Sequence, residues 1–368
     1  MKIQAVIAAN PKSPFLVEEV ELGEPRANEV VVRVVGAGLC HTDLVARDKE
    51  YPVPHPLVVG HEGSGIIHAV GDAVTKVAVG DAVVMTFVTC GNCDPCHAGK
   101  PAYCKSLYDL NFSGGRPDGS TPLSRDGKDL CGCFFGQSSM ADYCIASENN
   151  IVKVTNSSVP LELLGPLGCG VQTGAGAVIN SLQPPAGSSI AIFGMGSVGL
   201  SGVMAAKLVG CSKIIAVDIL DSRLEKAVSL GATHTINSSD KDPVEAIREI
   251  TDGKGAEFSL DMVGRPEVLR AAITCLGSLG TCGLVGAAPF GVDASFEMAD
   301  LLFHGRRIMG ICEGDSVPEI FIPRLIELYA AGLFPLDKLV TKFKLEDINE
   351  AVEAVERGDV VKAILIPS

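Results

Sequence analysis

The sequence predicts an α/β protein built from two unlike parts, a mostly-β part and a doubly wound parallel sheet. Three observations carry that prediction. The first 150 residues alternate short β-rich runs with Gly- and Pro-marked turns. From about residue 174, apolar strands alternate with helical stretches. The chain has 368 residues, which is long for one hydrophobic core and suggests two domains.

Taken in order, EVVVRVVGAG (29–38), GSGIIHAVG (63–71) and GDAVVMTF (80–87) read as strands of a partly barrel-like unit. The second part begins with the apolar strand SSIAIFG (188–194), a Gly-rich turn and the helical VGLSGVMAAKLVG (198–210). KIIAVD, HTIN, FSLDMV and GTCGLVG follow as strands, separated by the helical SRLEKAVSLG, DPVEAIREITDG and EVLRAAITCL. FIPRLIELYAAG and LEDINEAVEAVERG read as amphipathic helices, and VKAILI as a closing strand. There are no internal repeats.

The net charge of −14 argues against nucleic acid and anionic membranes as partners, because both need clustered Lys and Arg. The N-terminus lacks an apolar core with a cleavage site, so no secretory signal is expected. Residues 163–206 carry no charge, but prolines and glycines break them well short of a spanning helix, and they read as buried core. Thirteen cysteines without an export signal point to thiols and a cytoplasmic location.

AIFGMGSVG places Gly194, Gly196 and Gly199 in dinucleotide-fingerprint spacing, with Ser197 and Val198 between them. The motif follows a strand, opens a helix, and the next strand ends in Asp218. Such glycines let the backbone approach a pyrophosphate, whose charge the helix N-terminus favours. Asp218 is expected to accept both adenosine ribose hydroxyls and to repel a 2′-phosphate, which favours NAD over NADP. Arg223, nearby, is the group able to weaken that preference.

CGNCDPCHAGKPAYC places Cys90, Cys93, Cys96 and Cys104 where four thiolates can wrap one tetrahedral Zn(II). An iron–sulfur cluster is the rival, but the ferredoxin-type ending is missing and a loop that needs only shaping suits a redox-inert ion. With four Cys ligands no position stays open, so the role is structural. Cys131, Cys133, Cys144, Cys211, Cys275, Cys282 and Cys312 read as small buried hydrophobes or incidental thiols. The stretch from Cys40 to Glu62 crowds further candidates together: Cys40, His41, Asp43, Asp48, His55, His61 and Glu62. In it, Arg47, Asp48 and Lys49 read as a solvated turn, and His55, between two prolines, as a surface-loop His.

CHTD (40–43), GHEGSGIIHAVG (60–71), the four-cysteine lobe, GCGVQTGAGA (168–177) and GMGSVG…AVD occur in one order and spacing. With them the chain resembles the zinc-dependent medium-chain alcohol dehydrogenases over essentially its whole length. FFGQSSMADY (134–143) and residues 159–180 look most like the aryl-alcohol (benzyl alcohol) dehydrogenases, with geraniol dehydrogenases close behind.

The resemblance implies a GroES-like catalytic domain over 1–173 and 313–368 and a Rossmann NAD-binding domain over 174–312. It implies a catalytic zinc held by Cys40, His61 and Cys169, the Cys2His set of alcohol dehydrogenases, beside the structural zinc. Glu62 is then expected to approach the metal during exchange of its open fourth position. Asp43 is expected to take the second ring proton of His61. The implied reaction is reversible hydride transfer from a primary aryl or allylic alcohol to NAD, with Thr42 taking the alcohol proton. Thr173 is expected near the nicotinamide, His41 and Lys362 at the pyrophosphate, and Tyr51, Thr86 and Phe87 at the substrate. Many relatives carry a His at the end of the proton relay, where this chain has Val45.

That difference counts against the alternative of a glutathione-dependent formaldehyde dehydrogenase. An inactive zinc- and nucleotide-binding relative is the alternative of another class, and the complete ligand set counts against it. A homodimer or homotetramer is implied, through the cofactor domain's edge near GRRIMGIC.

Overall fold

The structure, a computed structural model, describes residues 1–367. The chain divides into two compact units. One contains residues 1–169, 317–331 and those from 336 onward; the other contains 170–316 and 332–335.

The first unit is built on two sheets. Strand Glu29–Gly38 is central to the larger one, pairing antiparallel with Gly63–Val70, Tyr143–Ser147 and Lys362–Ile366. Val30, Val31, Val32 and Val34 on it are all buried, as expected of β-branched residues in a strand covered on both faces. The smaller sheet joins Leu57–Val58, Lys2–Ala8, Leu16–Leu22, Leu123–Arg125 and Lys128–Leu130. Ile3, Ile7, Val20, Leu22, Leu123 and Leu130 pack between its strands in one apolar cluster.

The second unit is a six-stranded parallel sheet. Its order is His234–Asn237, Lys213–Asp218, Ser189–Phe193, Ala256–Asp261, Leu276–Leu284, Arg307–Gly310. The order reverses after Ser189–Phe193, so the crevice of a doubly wound sheet opens at the end of that strand. The helix ends follow the sequence: Asp242 accepts the N–H groups of Val244 and Glu245 and Pro243 takes the first helical position. A cap of this kind is worth about 1 kcal/mol.

Several elements differ from the sequence reading. Residues 41–48 form helix α1 (His41–Asp48), with Lys49 left-handed at its C-cap, instead of a solvated turn. Arg47 and Asp48 are mostly buried, ion-paired at 2.6 Å, and the Arg47 guanidinium lies 5.4 Å from the Phe15 ring centre. His55 is half-buried, and its Nε2 lies 2.9 Å from the Ala46 carbonyl, so it is not a surface-loop residue. The contact boundary also falls earlier than residue 173. Helix Gly170–Gly176 packs on helix Ser197–Leu208 so closely that a Cβ on Gly174 would meet the Val198 carbonyl at 1.9 Å. The turn at Gly314 packs on that same helix and joins the second unit with it.

Candidate active site

The candidate metal site starts where strand Glu29–Gly38 ends and Cys40 caps α1. Asp43, in the first turn of α1, is fully buried and accepts three hydrogen bonds. Its Oδ2 accepts the Cys40 N–H at 3.0 Å. Its Oδ1 accepts the Gly60 N–H and faces His61 Nδ1, both at 3.0 Å. A carboxylate cannot donate, so Nδ1 carries the proton and Nε2 is left as the free lone pair.

Among the described residues, Nε2 of the fully buried His61 has no hydrogen-bond partner. It lies with the donor atoms of Cys40, Glu62 and Cys169 in a group no more than 4.8 Å across. A single ion about 2.0–2.3 Å from each donor can span such a group with small shifts.

The electrostatics favour a cation there. The contact with Cys169 draws the Cys40 thiol well below its usual range, helped by Lys362 and His61 and opposed by burial. Burial alone would lower the proton affinity of His61, but the charges of Asp43 and Cys40 outweigh it and raise it well above normal. Surroundings that favour a proton on Nε2 also favour a divalent cation in its place. Two cysteine sulfurs and one imidazole nitrogen brought together in this way fit Zn(II).

Glu62 is also fully buried, and both its oxygens face Lys362 Nζ, at 2.8 and 3.0 Å. Burial pushes its carboxyl up and the Lys362 charge opposes that shift. Gly38 makes the room: a Cβ there would meet Glu62 Oε2 at 2.1 Å. The expected pyrophosphate role of Lys362 does not match its place. Its ammonium is 2% exposed and committed to Glu62 and the Leu39 carbonyl, because a buried charge needs close partners. His41, by contrast, is exposed on α1.

Thr42 is half-buried, with its hydroxyl 3.8 Å from Cys40 Sγ. Thr86 is 2% exposed and its hydroxyl donates to the Gly168 carbonyl at 2.7 Å, so it fastens the residue before Cys169 instead of offering that proton to substrate. Phe87 and Val45 are buried. Tyr51 is half-buried, with its ring edge-on to Phe112 at 5.6 Å.

Gln137 escaped the sequence reading. Its amide donates to the His61 and Thr86 carbonyls, and its carbonyl accepts the Gly63 N–H. A lone Gln in a turn-like FFGQSS carries no periodic signal. The same holds for Phe134 and Phe135, whose rings lie 5.5 and 4.6 Å from that of His61.

The four-cysteine lobe gathers Cys90, Cys93, Cys96 and Cys104 within 4.8 Å of one another. Gly91 and Gly99 supply its left-handed turns. Backbone N–H groups of Cys90 and Lys105 point at Cys104 and Cys93 sulfurs, as suits thiolates. Those of Lys105 and Cys96 bring the Cys93 thiol down to about 6. Burial pushes Cys96 up to about 12, so the full thiolate set needs a cation to hold it. Of the other cysteines, Cys144, Cys211, Cys275 and Cys282 are buried and Cys131, Cys133 and Cys312 half-buried.

In the second unit, Gly194 turns at φ +92°, and a Cβ on Gly199 would meet its carbonyl at 1.8 Å. A Cβ on Gly196 would meet nothing within 4 Å, so that side stays open for close approach. The turn leads into helix Ser197–Leu208, with Ser197 and Val198 in its first turn. Asp218 holds the turn by accepting Met195 N–H at 2.6 Å on Oδ2, and Ile219 and Leu220 N–H on Oδ1. Three of its roughly four acceptor sites are thus taken, leaving room for about one ribose hydroxyl instead of two. Arg223 is half-buried in the next helix, Asp221–Leu230. The Thr173 hydroxyl donates to Glu313 at 3.3 Å.

Residues 26–156 match the family of alcohol dehydrogenase GroES-like domains, and residues 197–331 match the zinc-binding dehydrogenases. The chain is 44% identical over 365 residues to geraniol dehydrogenase of Castellaniella defragrans, covering 99% of this chain and 97% of that one. The chain is a zinc-dependent medium-chain alcohol dehydrogenase.

Two solved structures place the dehydrogenase further. It is 51% identical to an alcohol dehydrogenase zinc-binding domain protein from Burkholderia ambifaria, with a TM-score of 0.97 over 100% of this chain and 99% of that one. It is 47% identical to benzyl alcohol dehydrogenase from Acinetobacter calcoaceticus, with a TM-score of 0.96 over 100% of both chains. Among the described residues, no helix is long and apolar enough to cross a membrane.

Proposed function

We propose that this dehydrogenase oxidises a primary benzylic or allylic alcohol to the aldehyde, reversibly, with NAD and two zinc ions per chain. The aromatic surroundings of His61 carry the substrate class. Tyr51 and Phe112 are half-buried and are backed by the buried rings of Phe134 and Phe135 beside His61, aromatic surroundings that suit flat, unsaturated alcohols. The similarity to benzyl alcohol and geraniol dehydrogenases supports the same class.

When bound, zinc lowers the pKa of an alcohol and the nicotinamide accepts hydride. The chain's residues do the rest. Cys40, His61 and Cys169 hold the metal, and Asp43 fixes the ring so that Nε2 faces it. Thr42, beside Cys40, would accept the proton of the alcohol hydroxyl while passing its own to a ribose hydroxyl of the cofactor and from there to solvent. Lys362 keeps Glu62 paired, so that its charge would stay off the metal ligands. Gly194, Gly196 and Gly199 admit the pyrophosphate to the N-terminus of helix Ser197–Leu208. Asp218 favours the unphosphorylated ribose.

Exposed apolar residues beside edge strand Arg307–Gly310 support a homo-oligomer. Met298, Leu302 and Phe303 of helix Met298–His304 are 80%, 74% and 83% exposed. A row of unpaired backbone groups with such neighbours is a surface that a second copy can cover. The thirteen thiols fit a reducing compartment, the cytoplasm.

A steady-state panel of benzyl alcohol, geraniol, ethanol and hydroxymethyl-glutathione, each with NAD and NADP, tests the substrate and cofactor. Benzyl alcohol or geraniol with NAD is expected to give the highest kcat/KM. Ethanol ahead by a wide margin would sink the aryl/allylic reading.

A further inference from the structure

We propose that the aromatic rings between the four-cysteine lobe and His61 form a positioning device, through which the lobe sets how tightly the catalytic site holds its metal. This rests on the reading of Cys40, His61 and Cys169 as zinc ligands.

The path is continuous. The Leu107 N–H donates to the carbonyl of Cys104, the lobe's last ligand, and so begins the short helix Leu107–Phe112. Asn111 on that helix is 1% exposed and clamps Val88, accepting its N–H and donating to its carbonyl, both at 2.9 Å. The helix is therefore tied to the lobe at its start and to the extended segment before the lobe, at Val88, near its finish. It ends in Phe112, which touches four rings. Tyr108 stacks on it at 5.0 Å, Phe135 meets it edge-on at 5.0 Å, and Tyr51 and Phe134 lie at 5.6 and 5.8 Å. Phe135 in turn stacks on His61 at 4.6 Å and 29°.

Phe135 is held there against its backbone preference. It sits at φ +51°, between Cys133 at +52° and Ser138 at +50°. Left-handed backbone is rare for a bulky aromatic residue and persists only where its surroundings over-determine it. Here they do. The Asn150 amide donates to the carbonyls of Phe135 and Gly136, and to that of Thr86. Ser138 Oγ accepts the Phe134 N–H and donates to the Val58 carbonyl. A relaxed backbone would turn the Phe135 ring off the imidazole.

Asp43 fixes His61 through Nδ1 alone, so rocking of the ring about that bond is limited by its packing, edge-on against Phe134 and face-on against Phe135. The stacked face of Phe135 limits the rocking, and Phe112 backs Phe135. Both are positioning residues, acting on the metal through His61. A lobe without its ion loosens helix Leu107–Phe112 and so removes that backing.

The test uses the full-length chain with cobalt placed in the Cys40–His61–Cys169 site. The d–d spectrum and its decay under a chelator are followed, with lobe zinc assayed separately. Phe112→Leu and Phe135→Leu, each removing the stacking from one end, are expected to shift the spectrum and speed the decay about tenfold or more, as losses around a metal ligand do. Phe112→Tyr keeps the ring and is expected to match the wild type. Cys96→Ser, which opens the lobe, is expected to speed the decay as well. Wild-type spectra and decay in both Leu variants would overturn the proposal. So would equal losses from lobe and catalytic site in the two Leu variants, the mark of general loosening, or a wild-type decay in Cys96→Ser. A wild-type chain that takes metal only in the lobe would overturn the zinc reading itself, and the proposal with it.

Discussion

Asp43 accepts three hydrogen bonds, and each fixes a different part of the metal site: the Cys40 backbone, the turn at Gly60 and the His61 ring. In Asp43→Asn the amide oxygen can keep Gly60 and His61, or Cys40, but the NH2 would then face a donor at the other position. The substitution is therefore expected to lower catalytic-site zinc affinity about 10–100-fold, with lobe zinc retained. Metal analysis after graded chelator dialysis checks it; equal zinc retention in wild type and variant would refute it. The ligands themselves were legible only through resemblance. Cys169 stands more than a hundred residues from Cys40 and His61, and no local spacing joins them. Asp43 was legible in the same way. Lys362 was not, because a basic residue in an apolar strand gives no sign of a buried carboxylate 300 residues away.

The glycine turn of the second unit separates two jobs that the motif runs together. Gly199 is needed by the fold, since its Cβ would collide with the Gly194 carbonyl. Gly196 is open on the protein side and sits at φ −72°, which alanine adopts without strain. Gly199→Ala is expected to lower stability by about 1–3 kcal/mol, the usual cost of overpacking. Gly196→Ala is expected to leave the melting temperature unchanged and to weaken NAD by tenfold or more, because its methyl occupies the phosphate's approach. Thermal melts and calorimetric NAD titrations separate them; a Gly196→Ala protein binding NAD at wild-type strength would remove Gly196 from the cofactor site. At this scale the parallel sheet was well marked. KIIAVD and HTIN run between turn signals and form strands at Lys213–Asp218 and His234–Asn237. Helices α1, Gly170–Gly176 and Met298–His304 were not. The first is dense in polar residues, the second in glycine, and the apolar face of the third points outward, so none shows the stripe of a helix packed on its own core.

For the whole molecule, the exposed apolar face of helix Met298–His304 is the feature least suited to a monomer. Phe303→Asp places a charge on that face and is expected to shift the proposed homo-oligomer to a smaller assembly. Light scattering on the eluted protein measures the mass, and an unchanged oligomer would place the interface elsewhere. The two candidate metal sites also differ in when they can exist. The four lobe cysteines lie within 15 residues, so the lobe can close while the rest of the chain is still being made. Glu62 must wait for Lys362, and at roughly 5–20 residues per second the intervening 300 residues take about 15–60 s to synthesise. Until then the emerging chain exposes Cys40, His61 and an unpaired carboxylate to any passing cation. The lobe's four cysteines are complete once Cys104 is made, whereas the Glu62–Lys362 pair beside the other candidate site waits for a residue made much later.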